Sequence, residues 1–138
     1  MKVLRWTVLA SHILLGIGAL AAGYACVVEP ACPLGAPLTL LEGSPFLSFF
    51  LPGLFLFAVI GIGNLICVFL LVKFPILGKV SSMGMGIVMM LWIIIQCIII
   101  KDIVALHVIT FLLGLLQCSF ALSSLIRNGD ARYLLSEL

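Results

Sequence analysis

Charge is what this sequence has least of. Of its 138 residues, 7 are Lys or Arg and 5 are Asp or Glu, while 64% are hydrophobic and the mean hydropathy is +1.42. So few polar side chains cannot cover the surface of a water-soluble domain of this length, which excludes a soluble fold. The scarcity is sharpest in four apolar runs, residues 6–28, 46–72, 80–100 and 103–126, none of which contains Asp, Glu, Lys or Arg. Each meets the roughly 20 residues that a ~30 Å hydrocarbon core requires. Membrane strands would show only about 10 alternating residues apiece, so a barrel is excluded as well. The expected fold is all-α: four transmembrane helices in one integral membrane domain.

Several kinds of chemistry lack their residues. With no carboxylate inside any span, the proton and sodium relays of ion-coupled pumps have nothing to run on. There is no Cys-x-x-Cys pair, no glycine-rich phosphate loop, and no nucleophile with base and orienting acid. The two histidines, His12 and His107, fall at different depths, which suits neither haem nor a metal, and no cofactor is expected. The Gly16-x-Gly18 spacing lies within an apolar run and reads as helix packing.

The charges that are present orient the chain. Lys2 and Arg5 precede the first run, Lys73 and Lys79 lie between the second and third, Arg127 and Arg132 follow the fourth, and Lys101 alone lies on the other side. By the positive-inside rule this predicts an antiparallel bundle in a plasma (inner) membrane with both termini cytoplasmic. An external loop then covers about 29–45, and a tight external turn forms at Lys101-Asp102. The net charge of +2 is accounted for by this bias, so nucleic acid is not an expected partner. The first run follows Lys2 and Arg5 and ends in "AAGYAC", as a signal peptide can. A lipoprotein cleavage before Cys26 favours leucine where this chain has Gly23, so the run reads as a retained helix.

Local signals refine the second helix. Ser44 suits an N-cap and Pro45 the first helical position, while Pro52 removes the donor to the Ser48 carbonyl and predicts a bend. The segment 73–79 reads as a short internal loop. In the tail, Asn128-Gly129 signals a turn before a short amphipathic stretch. Leu41-Glu42-Gly43-Ser44-Pro45-Phe46 followed by Pro52-Gly53 resembles a pattern of small bacterial four-helix inner-membrane proteins, and the layout looks loosely DoxX-like. That resemblance implies a four-helix bundle and carries over no site residue.

Small and polar residues recur at helical spacing: His12, Gly16, Ala19 and Gly23; Gly53, Phe57, Gly61 and Asn64; Met85, Met89, Trp92 and Gln96; and His107, Thr110, Gly114, Gln117, Ala121 and Ser124. These are the expected inward faces, because helices in lipid associate through small residues and hydrogen bonds. At ~1.5 Å per residue, His12, Asn64 and Gln117 lie at matching depths, roughly 9–13 Å from the cytoplasmic end, and should meet. Gln96 and His107 form an outer tier below Glu42. These six are the candidate binding residues. Cys26 and Cys32 flank the external loop and are the candidate disulfide, while Cys67, Cys97 and Cys118 read as packing residues.

The pattern favours a non-enzymatic accessory or binding protein for a membrane-protein partner, a lipid or a small apolar solute. Two alternatives stand beside it. One is a small transporter or channel acting as a homo-oligomer, and the other is a quinone-linked thiol-disulfide oxidoreductase using the external cysteines, with Cys97 as the resolving thiol.

Overall fold

The computed structural model describes residues 2–128. The tail stretch after Asn128-Gly129 lies outside the described residues. Helix α1 is Lys2–Val28. Helix α2 is Phe50–Lys73, α3 is Pro75–Ile100 and α4 is Ala105–Arg127. All four are long and apolar enough to cross a membrane. There is no strand among the described residues. Consecutive helices pack side by side, and α4 returns to α1 over a shorter contact than the others.

The expected inward faces are the ones buried. On α1 these are His12, Gly16, Ala19 and Gly23, and on α4 they are His107, Gly114, Gln117, Ala121 and Ser124. Large apolar side chains point the other way, among them Trp6, Leu14, Ile98 and Leu106. The core falls into two clusters. Ile60, Met89, Trp92 and Ile93 centre the larger, and Val8, Leu9, Leu71 and Phe120 the smaller.

Helix α2 departs from expectation at its start. It begins at Phe50, not near Pro45, with Phe49 in the cap position. The Ser44 hydroxyl instead accepts from the Phe46 amide at 3.2 Å inside a turn, and the Phe49 amide donates to the Pro30 carbonyl at 2.9 Å, tying the end of the loop to its start. Pro52 is therefore the third helical residue, where an amide has no intrahelical acceptor, and it forces no bend. The irregularity lies further on. Leu56–Ile62 forms a π-helical segment of 7 residues before regular helix resumes at Gly63. Such a segment takes extra residues per turn and re-phases everything after it.

The two short connections also differ in detail. Phe74 alone separates α2 from α3, and Pro75 opens α3 at a position suited to its missing amide, so Lys79 lies on a helix rather than in a loop. At the other end Lys101 takes a left-handed conformation with φ 57°, and the chain stays non-helical to Val104.

Helices α1 and α2 approach closely at Gly23. A Cβ placed there would lie 2.6 Å from the Phe57 nitrogen and 2.7 Å from the Gly53 carbonyl oxygen, both backbone atoms that cannot step aside. At Gly84 a Cβ would meet nothing within 4 Å among the described residues. Gly23→Ala should therefore cost about 1–3 kcal/mol through overpacking. Gly84→Ala should be neutral or stabilise by up to ~1 kcal/mol through helix propensity. Thermal unfolding of the two variants in detergent checks the contrast.

Candidate functional site

His12, Asn64 and Gln117 do meet, and the site they form takes at least one polar side chain from every helix, with two from α1. His12 Nδ1 lies 2.7 Å from Asn64 Oδ1, and His12 Nε2 lies 2.8 Å from Ser82 Oγ on α3. Gln117 Nε2 reaches Asn64 Oδ1 and Ser11 Oγ, both at 3.3 Å, and the Ser11 hydroxyl donates to the Val8 carbonyl at 2.8 Å. His12, Asn64, Ser82 and Gln117 are all 0% exposed.

Proton positions follow from one fixed acceptor. Asn64 Nδ2 donates to the Ile60 carbonyl at 2.8 Å, which turns Asn64 Oδ1 toward His12. That oxygen can only accept, so His12 Nδ1 carries a proton, and in the neutral ring Nε2 accepts from the Ser82 hydroxyl. Gln117 must present its amide nitrogen to the same oxygen, because the flipped amide would set two acceptors against each other. Its own Oε1 is then left buried without a donor among the described residues.

Ser82 and Ser11 escaped the sequence reading. Ser82 sits three residues before Met85, one step along the stripe already drawn on α3. Ser11 adjoins His12 and is buried with it.

The outer tier has a different character. Between α1 and α4 lies a cleft of about 400 Å³, lined by Gly18 and Ala22 from α1, Leu56 from α2, Trp92 and Gln96 from α3, and His107 from α4. Gln96 and His107 thus share one space, as their depths suggested. Glu42 does not line the cleft. It is exposed in the loop, where its neighbour Gly43 lies beside the Lys101 ammonium. His107 is the third residue of α4, and its Nδ1 accepts from the Val104 amide at 3.4 Å. This is the reach-back usually made by Glu or Gln at that position. It leaves the ring proton of neutral His107 on Nε2.

The cysteines are scattered. Cys26 and Cys32 are both free thiols in the structure. The Cβ of Cys26 is turned against Gly53 on α2, whereas Cys32 is exposed in the loop, an arrangement that lends the expected bridge no support. Cys67 is buried and packs in the larger core cluster, and Cys97 packs against it from the edge. Cys118 lies at the α3–α4 contact, next to Gly86.

Replacing Asn64 by leucine strands a buried His12 N–H and leaves the Gln117 amide nitrogen with Ser11 Oγ as its one remaining partner. Asn64→Leu should cost about 1–3 kcal/mol, the range for leaving buried polar groups unpaired. Thr110→Val removes a hydroxyl bonded only within its own helix, to Leu106 O at 2.7 Å, and should stay within about 0.5 kcal/mol of wild type. Chemical or thermal unfolding in detergent measures both. No protein-family model, curated protein or solved structure matches the chain, so the chemistry of the site rests on its own residues.

Proposed function

We propose that the protein is an integral membrane protein of four antiparallel spans with both termini cytoplasmic, and that it binds a small apolar or lipid-like solute in the cleft between α1 and α4. One observation carries the binding reading. The cleft, about 400 Å³, draws its walls from all four helices, a volume within the range of small-molecule sites. It sits where the ring of helices is closed by its sparsest contact, so a solute dissolved in the surrounding hydrocarbon has a lateral way in.

The membrane placement is supported by the outward apolar side chains and by the absence of Asp, Glu, Lys and Arg from the spans. The antiparallel order is supported by near contacts such as Gly16 with Leu65 and Gly23 with Phe57, in which the register rises on one helix as it falls on the other. The orientation rests on charge. Arg5 and Lys79 flank one depression at one end of the bundle, while Lys101 lies beside the loop at the other. The inner knot is the structural half of this reading. It ties the four helices together toward one end of the bundle.

Two measurements test the proposal. A reporter fused after Leu138 should be cytoplasmic, and a membrane-impermeant thiol reagent should label Cys32 from outside; the opposite pattern would sink the topology. Binding can be read from tryptophan fluorescence. Trp6 is 70% exposed and Trp92 only 7%, so Trp6→Phe leaves Trp92 as the sole reporter, already in the cleft wall. Brominated-chain solutes should quench it. Gly18→Leu, which puts a side chain into open space at the cleft wall, should abolish quenching without lowering the melting temperature.

A further inference from the structure

We propose that the depression at the Arg5 end of the bundle binds a phosphate group, of the kind an anionic phospholipid presents at the membrane surface, with the Arg5 guanidinium and the Ser124 hydroxyl as its donors. The site lies outside the cleft and does not depend on it. Only its assignment to the cytoplasmic leaflet rests on the proposed orientation.

All four helices border this depression of about 290 Å³, with Arg5 from α1, Leu71 from α2, Lys79 from α3 and Ser124 from α4. Ser124 is only 7% exposed, yet its hydroxyl makes no hydrogen bond to any described residue. The adjacent Ser123 shows the usual arrangement for a serine in a helix, its hydroxyl donating to the Ser119 carbonyl at 2.7 Å. A polar group so enclosed is costly unless it is paired. Trp92 Nε1 and Gln117 Oε1 are sealed off, whereas Ser124 Oγ keeps surface and borders the depression. Arg5 brings the charge. Its Nη2 donates to the Leu71 carbonyl at 3.4 Å, which holds the guanidinium beside the depression and leaves the other donors of its fork without a partner among the described residues.

Charge and level select the ligand. The lining includes two cations, Arg5 and Lys79, and no Asp or Glu, so it suits an anion. At ~1.5 Å per residue, Arg5, Lys79 and Ser124 each lie within about 6 Å of the end of their helix, so the three share one level at the border of the apolar spans. An arginine fork matches the oxygens of a phosphate. A hydroxyl arriving from a different helix adds a donor at another angle, which a tetrahedral oxyanion can use and a planar carboxylate cannot. Leu71 and Phe120 are buried and make another part of the wall apolar, which favours a lipid over free phosphate.

The test is retention of dioctanoyl phosphatidylglycerol by the purified full-length protein in neutral detergent, counted by native mass spectrometry. The competitors are dioctanoyl phosphatidylcholine, whose ammonium would face Arg5 and Lys79, dioctanoylglycerol, which has no phosphate, and inorganic phosphate. One phosphatidylglycerol should be retained, about tenfold more strongly than either competing lipid, and Arg5→Gln should remove about the same factor, the scale of a hydrogen bond to a charged group. Ser124→Ala alters no charge and should weaken retention about fivefold. Because that hydroxyl bonds to no described residue, the melting temperature without lipid should stay as in wild type, which separates loss of binding from loss of fold. Lys73→Gln and Arg127→Gln, which remove exposed cations near the same end but outside the lining, should leave retention unchanged. Equal retention of the three lipids, equal losses in these two controls, or a Ser124→Ala protein that binds as wild type would each overturn the site in favour of diffuse attraction to positive charge. Displacement by inorganic phosphate at the lipid's own concentration would keep the phosphate site and overturn the lipid as its occupant. If no probe is retained the site falls, while the cleft stands or falls on its own fluorescence measurement.

Discussion

The Ile60 carbonyl accepts a hydrogen bond from Asn64 Nδ2, and the polarity of the whole inner site descends from that bond. Because the amide is held one way round, Asn64 Oδ1 becomes a shared acceptor for His12 on α1 and Gln117 on α4. The His12 tautomer is then set, and with it the direction of the Ser82 hydroxyl. A chain of such choices is worth more as a specification than as a sum of energies. Each pair in a membrane bundle contributes only about 0.6 kcal/mol on average, yet a helix rotated out of phase would leave several groups unpaired at once.

The two ends of the bundle solve opposite problems. At the Arg5 end, side chains from every helix are bonded to one another and to backbone carbonyls, with the Gln117 oxygen as the exception. At the loop end, Gln96 and His107 border an open cleft whose remaining walls are largely apolar. A polar group in apolar surroundings is costly unless it is paired, so the inner set reads as architecture. The π-helical stretch, Leu56–Ile62, begins at the cleft and ends within two residues of Asn64.

Much of this was legible in the sequence because long apolar helices simplify the code. With four long apolar runs, the inward face is wherever small and polar residues recur at helical spacing. The stripes through His12 and Gly23, and through His107 and Ser124, are buried as that rule requires. The start of α2 was misplaced because Ser44-Pro45 and Ser48 offer similar cues, and residues 46–49 are as apolar as the helix that follows. Lys73 and Lys79 mark where charge begins, which is not where helix ends, so a continuing helix looked like a loop. Ser82 was overlooked because a buried serine reads as a small packing residue until its partner is known. The π-helical segment has no compositional signature at all.

That segment gives α2 a tolerance that regular helix lacks. Over the same rotation it takes about one residue more than an α-helix does, so a single-residue deletion between 56 and 62 that restores regular helix leaves the two halves of α2 in phase, with Gly53 against α1 and Asn64 toward His12. Regular helix of unchanged length would instead turn the inner half by about 100° and carry Asn64 away from His12.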